Sequence, residues 1–228
     1  MNIAIILAGG TGSRLGYEIP KQFLKIAGKT VIEHTVDVFE KNTCIDEIAI
    51  VIHESYISDI ENMTLKNEWK KVKKILKGGA ERFESSLAAI KAYKEFHNDN
   101  LIFHDAVRPM VNNRIINDVV HALETYHAVT VAIPAIDTIY KVDVSKNVIL
   151  EIPDRSFLQR AQTPQAFKGS TIQKAYYKAL QDADLKFSDD CGVVAKYLPD
   201  EKIYVVRGEE SNLKLTYNED ICLLEKLL

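Results

Sequence analysis

The 228 residues contain only three cysteines, Cys44, Cys191 and Cys222, odd in number and far apart. This spacing excludes a disulfide framework and a zinc site of the Cys-x-x-Cys kind, and it fits a reducing cytoplasm. No apolar run approaches the roughly 20 residues of a membrane helix. The short apolar start, Ile3 to Leu7, has neither the basic lead nor the length of a secretion signal. A cytoplasmic chain without membrane contact is therefore expected. Charge of one sign is also missing: 29 Lys and Arg face 32 Asp and Glu, a net charge of -3. Such a balance provides no broad surface for nucleic acid, so a bound phosphate must meet locally clustered cations, and the ligand should be small. Repeats, low-complexity tracts and interdomain linkers are absent as well.

What is present suffices for a full core. With 46% hydrophobic residues over this length, one domain spanning 1–228 is expected. Short β-branched runs at Ile3 to Leu7, Glu47 to Ile52, Val72 to Leu76, Leu101 to His104 and Val129 to Pro134 predict strands, several apolar enough to be buried on both faces. Helical periodicity lies between them. Ile32, Val36 and Phe39 share a face, as do Ala89, Ile90, Tyr93 and Phe96, and again Ile115, Val119 and Leu123. This alternation predicts an α/β fold with a mostly parallel sheet flanked by helices. Residues 138–158 break the pattern: Ile139, Tyr140 and Val142, then Val148, Leu150 and Ile152, read as two strands of a protruding β-arm around Ser145-Lys146-Asn147. Helices over Ser170 to Gln181 and Asp190 to Tyr197, a strand at Ile203 to Val206 and a closing helix from about Asn218 follow.

Directly after the first predicted strand comes Leu7-Ala8-Gly9-Gly10-Thr11-Gly12-Ser13-Arg14-Leu15-Gly16, and then Pro20-Lys21-Gln22-Phe23. Glycines at a strand end let backbone approach a ligand closely, and their free N–H groups form a nest for phosphate oxygens. Arg14 and Lys21 would stand beside those phosphates and offset charge developing in a phosphoryl transition state. The other reading is a tight turn carrying solvated cations. Two better-known motifs are excluded. Glycines at 10, 12 and 16 do not have dinucleotide-fold spacing, and Ala27-Gly28-Lys29-Thr30 would need a glycine where Phe23 stands to be a P-loop.

The run from Leu7 to Lys21 resembles the signature L-[AG]-[AG]-G-x-G-x-R-[ML]-G with a following P-K-Q of sugar and polyol nucleotidyltransferases, which have a glycosyltransferase-like Rossmann fold. Further matches resemble the cytidylyltransferase branch that makes CDP-methylerythritol or CDP-ribitol. The resemblance implies that Leu7, Ala8, Gly9, Gly10, Thr11, Gly12 and Ser13 hold the nucleotide while Arg14 and Lys21 act on its phosphates. Gly78 to Ser86 is similar to the segment contacting cytosine and ribose, implying roles for Gly79, Arg82, Ser85 and Ser86; either serine also reads as a helix cap. His104-Asp105-Ala106-Val107-Arg108-Pro109 resembles H-D-A-[AV]-R-P. It implies Asp105 at the ribose, acceptor or a Mg²⁺ on the triphosphate, and Arg108 at the acceptor phosphate. Read alone, it is a local salt bridge with a packed or capping His104.

Asp154 to Phe167 resembles D-R-x-x-L-x-x-x-Q-T-P-Q-x-F. It implies a homodimer in which the arm packs on a second subunit and Thr138 and Arg155 reach the partner's acceptor phosphate. Alternatively, Arg155 makes a surface salt bridge, and Gln162 to Phe167 is a structural turn pinned by Pro164. Gly208 to Thr216 resembles G-x-x-x-N-[IL]-K-[VIL]-T, implying that Lys214 touches the acceptor phosphate and takes part in catalysis, where the bare sequence also allows a solvated strand lysine. Ser188-Asp189-Asp190 reads chiefly as a helix cap and Cys191 as buried packing. The implied substrates are CTP and a polyol phosphate. Leu7-Ala8-Gly9-Gly10 and Val107 lean toward D-ribitol 5-phosphate, while Asp154-Arg155-Ser156 and the acidic cap lean toward 2-C-methyl-D-erythritol 4-phosphate. A non-catalytic nucleotide sensor and a nicotinamide oxidoreductase are the competing classes, the first disfavoured by the many cations and the second by the glycine spacing.

Overall fold

The computed structural model describes residues 1–10, 19–183 and 187–228. In chain order its elements are β1 (Asn2–Ala8), β2 (Lys25–Ile26), β3 (Lys29–Thr30), α1 (Val31–Lys41), β4 (Glu47–Ile52), α2 (Ile57–Lys66), β5 (Val72–Lys77), α3 (Arg82–Ala92), β6 (Asn100–Asp105), α4 (Asn113–Ala122), β7 (Ala128–Pro134), β8 (Lys141–Asp143), β9 (Val148–Glu151), β10 (Gln159–Lys168), α5 (Gly169–Ala179), α6 (Asp190–Tyr197), β11 (Ile203–Arg207) and α7 (Asn218–Leu227). Seven strands form one sheet in the order β11-β7-β10-β6-β1-β4-β5. All its pairings are parallel except those of β10, which runs against both β6 and β7.

The strand period of two sorts β1 onto two cores. Ala4, Ile6 and Ala8 face one, with Ile32, Val36 and Phe39 of α1, Ile60 of α2 and Ile115 and Val119 of α4. Ile3, Ile5 and Leu7 face the other, with Ala89 and Ile90 of α3, Ile172 and Ala175 of α5 and Val193 of α6. The expected α/β sheet flanked by helices is therefore present, and burial on both faces explains why its central strands read as continuous apolar runs. No helix among the described residues is long and apolar enough to cross a membrane.

Local chemistry sets the element boundaries. Ala27 (φ 47°) and Gly28 (φ 85°) are the two-residue turn joining β2 to β3, where both central residues take positive φ. The segment that imitated a P-loop is thus a small hairpin. Thr30 opens α1 through a capping box, its hydroxyl accepting from Glu33 N while the Glu33 carboxylate accepts from Thr30 N at 2.8 Å. Asp189 caps α6 by accepting from Gly192 N at 2.8 Å, as its sequence position implied. The arm is a two-stranded unit, with β8 beginning only after Tyr140.

One expectation is overturned. Gln162 to Phe167 is not a turn: it belongs to β10, ten residues in the middle of the sheet. Proline and polar residues argue against a central strand. Here they sit in a bulge, where pairing with β7 shifts register between Ala161 and Gln165, and side chains replace the missing ladder bonds. Gln162 Nε2 donates to Glu209 O at 2.7 Å, and Thr163 Oγ1 accepts from Asp105 N at 3.2 Å.

Candidate active site

β1 and β6 are parallel neighbours with Leu7 opposite Asp105, so the glycine turn and the His104 to Pro109 turn leave the sheet at the same carboxyl edge. Open α/β sheets place ligands there. A cleft of about 330 Å³ opens at this edge. Its lining includes Leu7, Ala8, Gly9, Gly10, Lys21, Gln22, Gly79, Ala80, Glu81, Arg82, Ser85, Asp105, Val107 and Lys214. Segments as far apart in sequence as Leu7 and Lys214 meet in it. Thr11, Gly12, Ser13 and Arg14, which the sequence assigns to phosphate binding, lie outside the described residues.

The glycine turn is clamped from behind. Gln22, 2% exposed, donates its amide to Ala8 O at 2.7 Å and Gly10 O at 3.1 Å, tying the turn to the short 3-10 segment that carries Lys21. In the sequence Gln22 stands out only as a member of the Pro20-Lys21-Gln22-Phe23 motif. Its signal is an uncharged two-donor side chain between a lysine and a phenylalanine, which periodicity does not single out. Across the cleft, Gly79 N donates to Ser85 Oγ at 3.3 Å, and a Cβ on Gly9 would come within 3.0 Å of the same hydroxyl. Ser85 thus closes the turn and lines the cleft. Ser86 is fully buried and does not line it. The amino end of α3 faces the cleft through Gly79 to Arg82, where a helix terminus favours anionic ligands.

Asp105, 7% exposed, is the electrostatic centre. Lys214 Nζ lies 2.8 Å from its Oδ2, Arg82 Nε 3.4 Å from its Oδ1 and Arg108 Nε 3.8 Å from its Oδ2. Burial works to raise its pKa, but Lys214, Arg82 and Arg108 outweigh burial and hold the carboxyl well below the usual range. Of these three cations Lys214 and Arg82 line the cleft, together with Lys21. Arg82 also donates to Asp190 Oδ2 at 2.7 Å, and Asp190, fully buried, accepts from Tyr176 Oη at 2.5 Å and donates its backbone N–H to Gln165 Oε1 at 3.1 Å. The acidic cap of α6 therefore does a second job that its sequence position did not reveal: it holds Arg82 in place.

His104 stands behind Asp105 without reaching the cleft. Burial pushes its pKa down to about 4, so the ring is neutral at pH 7. Its Nε2 bonds Arg108 O at 3.1 Å and its Nδ1 bonds Thr163 Oγ1 at 3.0 Å. With the proton on Nε2, the Thr163 hydroxyl donates to Nδ1 and accepts from Asp105 N, a chain that orients Asp105. Arg108 donates to Asn212 O at 2.7 Å and does not line the cleft of its own chain. Nor do Thr138 and Arg155, which lie exposed on the arm, Arg155 donating to Ile136 O at 3.0 Å.

Among the described residues no cluster of three or more His, Cys, Asp or Glu is placed to enclose a metal ion. Mg²⁺ does not need one, because it commonly keeps waters and binds through one or two carboxylates plus substrate phosphates. Asp105 fits that role. Its two oxygens offer about four acceptor positions, some of which face Lys214, Arg82 and Arg108.

The family profile described as IspD, 2-C-methyl-D-erythritol 4-phosphate cytidylyltransferase, matches residues 2–228. The bifunctional ribulose 5-phosphate reductase/CDP-ribitol pyrophosphorylase Bcs1 of Haemophilus influenzae is 46% identical over 227 residues, 99% of this chain but 48% of that protein, so the chain spans about half its length. The 2-C-methyl-D-erythritol 4-phosphate cytidylyltransferase of Thermobifida fusca (strain YX) is 42% identical over 229 residues, 99% of this chain and 92% of that one. The crystal structure of 4-diphosphocytidyl-2C-methyl-D-erythritol synthase from Anaerococcus prevotii DSM 20548 superposes with a TM-score of 0.87 at 29% identity, covering 100% of this chain and 97% of the other. A cleft at the carboxyl edge of a mostly parallel sheet, built on glycine turns and ringed by lysine and arginine, joins these relationships to a single conclusion: the chain belongs to the IspD family of cytidylyltransferases, a group of nucleotidyltransferases.

Proposed function

We propose that this chain transfers the cytidylyl group of CTP to 2-C-methyl-D-erythritol 4-phosphate. An oxygen of the acceptor phosphate attacks the α-phosphorus, the bond from that phosphorus to the bridging oxygen breaks, and pyrophosphate leaves. A phosphate monoester is already nucleophilic at neutral pH, so no general base is required. The task left to the protein is positioning and charge neutralisation. The observation that carries this reading is the meeting, in one cleft, of the glycine turn and Lys21 with the α3 amino end and the Lys214–Asp105 pair. Lys21 and Arg14 serve the triphosphate, Gly79 and Ser85 the nucleoside, and Lys214 the acceptor phosphate. Asp105 would hold Mg²⁺, which when bound neutralises phosphate charge.

The family profile and the Thermobifida and Anaerococcus relatives support this acceptor over the D-ribitol 5-phosphate toward which the sequence leaned. The Haemophilus relative keeps ribitol phosphate as the second reading. Both acceptors are short phosphorylated polyols, and single hydroxyl or methyl contacts decide between them. The enzyme is read as cytoplasmic and homodimeric through the arm, whose Val144, Leu150, Ile152 and Phe157 are each more than half exposed in the single chain. Pyrophosphate release from CTP, measured with each acceptor, tests the reading. A higher kcat/KM with methylerythritol phosphate is expected. Preference for ribitol phosphate would overturn the acceptor, and release with neither would overturn transfer itself in favour of a nucleotide sensor.

A further inference from the structure

Two segments far apart in the chain run alongside each other and reach the cleft through Asp105, Val107 and Lys214. One, residues 105–114, leads from Asp105 into α4. The other, residues 207–215, leads from β11 to Lys214. They are tied at four levels: Lys214 Nζ to Asp105 Oδ2 at 2.8 Å, Leu215 N to Val107 O at 2.9 Å, Arg108 Nη1 to Asn212 O at 2.7 Å, and, farthest from the cleft, the Glu209 carboxylate to the start of α4.

This last tie is the densest. Glu209 Oε1 accepts from Arg114 Nε at 3.0 Å and Nη2 at 2.9 Å, while Oε2 accepts from Asn112 Nδ2 at 3.0 Å and Ser211 Oγ at 3.3 Å. Asn112 is itself the cap of α4, its Oδ1 accepting from Ile115 N. The Glu209 main chain is held too, its carbonyl accepting from Gln162 Nε2 and Asn212 N. Hydrogen bonds from Asn112 and Arg114 keep the carboxyl below its ordinary range, so it is an anion at the amino end of a helix, where the helix dipole favours negative charge. A single surface ion pair contributes little. A carboxylate with four donors from three residues, joining two catalytic segments, has a different consequence: it sets where one segment lies along the other.

We propose that Glu209 is a positioning residue, whose anchorage to Asn112 and Arg114 sets the register in which the 208–216 loop delivers Lys214 to Asp105 and the reacting phosphates. The catalytic consequence rests on the cytidylyltransferase reading; the placement of Lys214 does not. Glu209 and Arg114 touch neither the cleft nor Lys214, so they act only through the loop.

Two measurements test this on the full chain. Amine acetylation followed by peptide mass spectrometry reads Lys214 directly. In Glu209→Ala and in Arg114→Met, Lys214 is expected to acetylate severalfold faster while lysines elsewhere are unchanged. Unaltered labelling of Lys214 in both folded variants overturns the proposal. Turnover is the second readout: Glu209→Ala is expected to lower kcat about tenfold in the wild-type background and to have no further effect in a Lys214→Ala background, because coupled residues are not additive. Equal losses in both backgrounds would assign Glu209 a merely structural role. Faster labelling together with no cytidylyl transfer by the wild-type chain would leave the positioning intact and defeat the functional reading instead.

Discussion

Lys214 and Asp105, 109 positions apart in the chain, form an ion pair at 2.8 Å, and Asp105 is buried where Lys214 is partly open to the cleft. The pair pre-orients the lysine, and under the proposed reaction an arriving phosphate would meet a cation already held in place. Removing one such preorganised donor from a reacting phosphate typically costs two to three orders of magnitude in rate. Lys214→Ala is therefore expected to lower kcat/KM about 100-fold, read by pyrophosphate release under saturating CTP. Lys21→Ala should lower turnover far more than it raises the acceptor KM, and an unaltered turnover number would remove Lys21 from the chemistry.

Gln22 acts on the other wall. Its two amide hydrogens satisfy the carbonyls of Ala8 and Gly10. Gln22→Leu leaves both without that donor and should destabilise the fold by about 1–3 kcal/mol. The loosened glycine turn should weaken CTP binding about tenfold by titration calorimetry. Full nucleotide affinity in a destabilised variant would mean that the clamp serves the fold alone.

Acid stability should carry the signature of Glu33. Burial favours its neutral form, but hydrogen bonds from Thr30 and Asn67, with Lys66 nearby, overcome this and bring its pKa from the ordinary 4.5 to about 2. A carboxyl whose folded pKa is depressed stabilises the protein fully above pH 4.5 and loses that contribution as pH falls toward 2, a span on the order of 3 kcal/mol. Chemical denaturation from pH 7 to pH 3 should show Glu33→Gln less stable than the wild type at pH 7 and less sensitive to pH below 4.5. Parallel profiles would rule out the Glu33 contribution.

The arm predicts its own association. Leu150 and Ile152 are 62% and 58% exposed and Phe157 84%, an apolar surface too concentrated to be left in water without consequence. Sedimentation equilibrium should give twice the chain mass for the wild type and the single-chain mass for Leu150→Glu. If Thr138 and Arg155 serve the partner's cleft, that variant also loses activity at concentrations where the wild type is dimeric.

Much of this molecule is legible from near neighbours in the chain. The alternation of Ile3 to Leu7 places β1 between two cores, Thr30 and Glu33 start α1, Asp189 starts α6, and glycines 9 and 10 mark the turn where a ligand approaches. Each of these depends on residues a few positions apart, and local sterics and hydrogen bonding decide it wherever the rest of the chain goes. Other features depend on residues that meet only when the sheet closes. β10 looks like a turn because Gln162 and Thr163 have polar side chains and Pro164 lacks an N–H. It becomes a central strand because Glu209, His104 and Asp105 arrive to satisfy it. The ring of Lys214, Arg82 and Arg108 around Asp105, and the hold of Asp190 on Arg82, are likewise tertiary. An ion pair depends on distance in space, which chain spacing does not encode. The amino-acid order thus specifies the scaffold and the kinds of group that can bind phosphate, and folding alone selects which of those groups share one cleft.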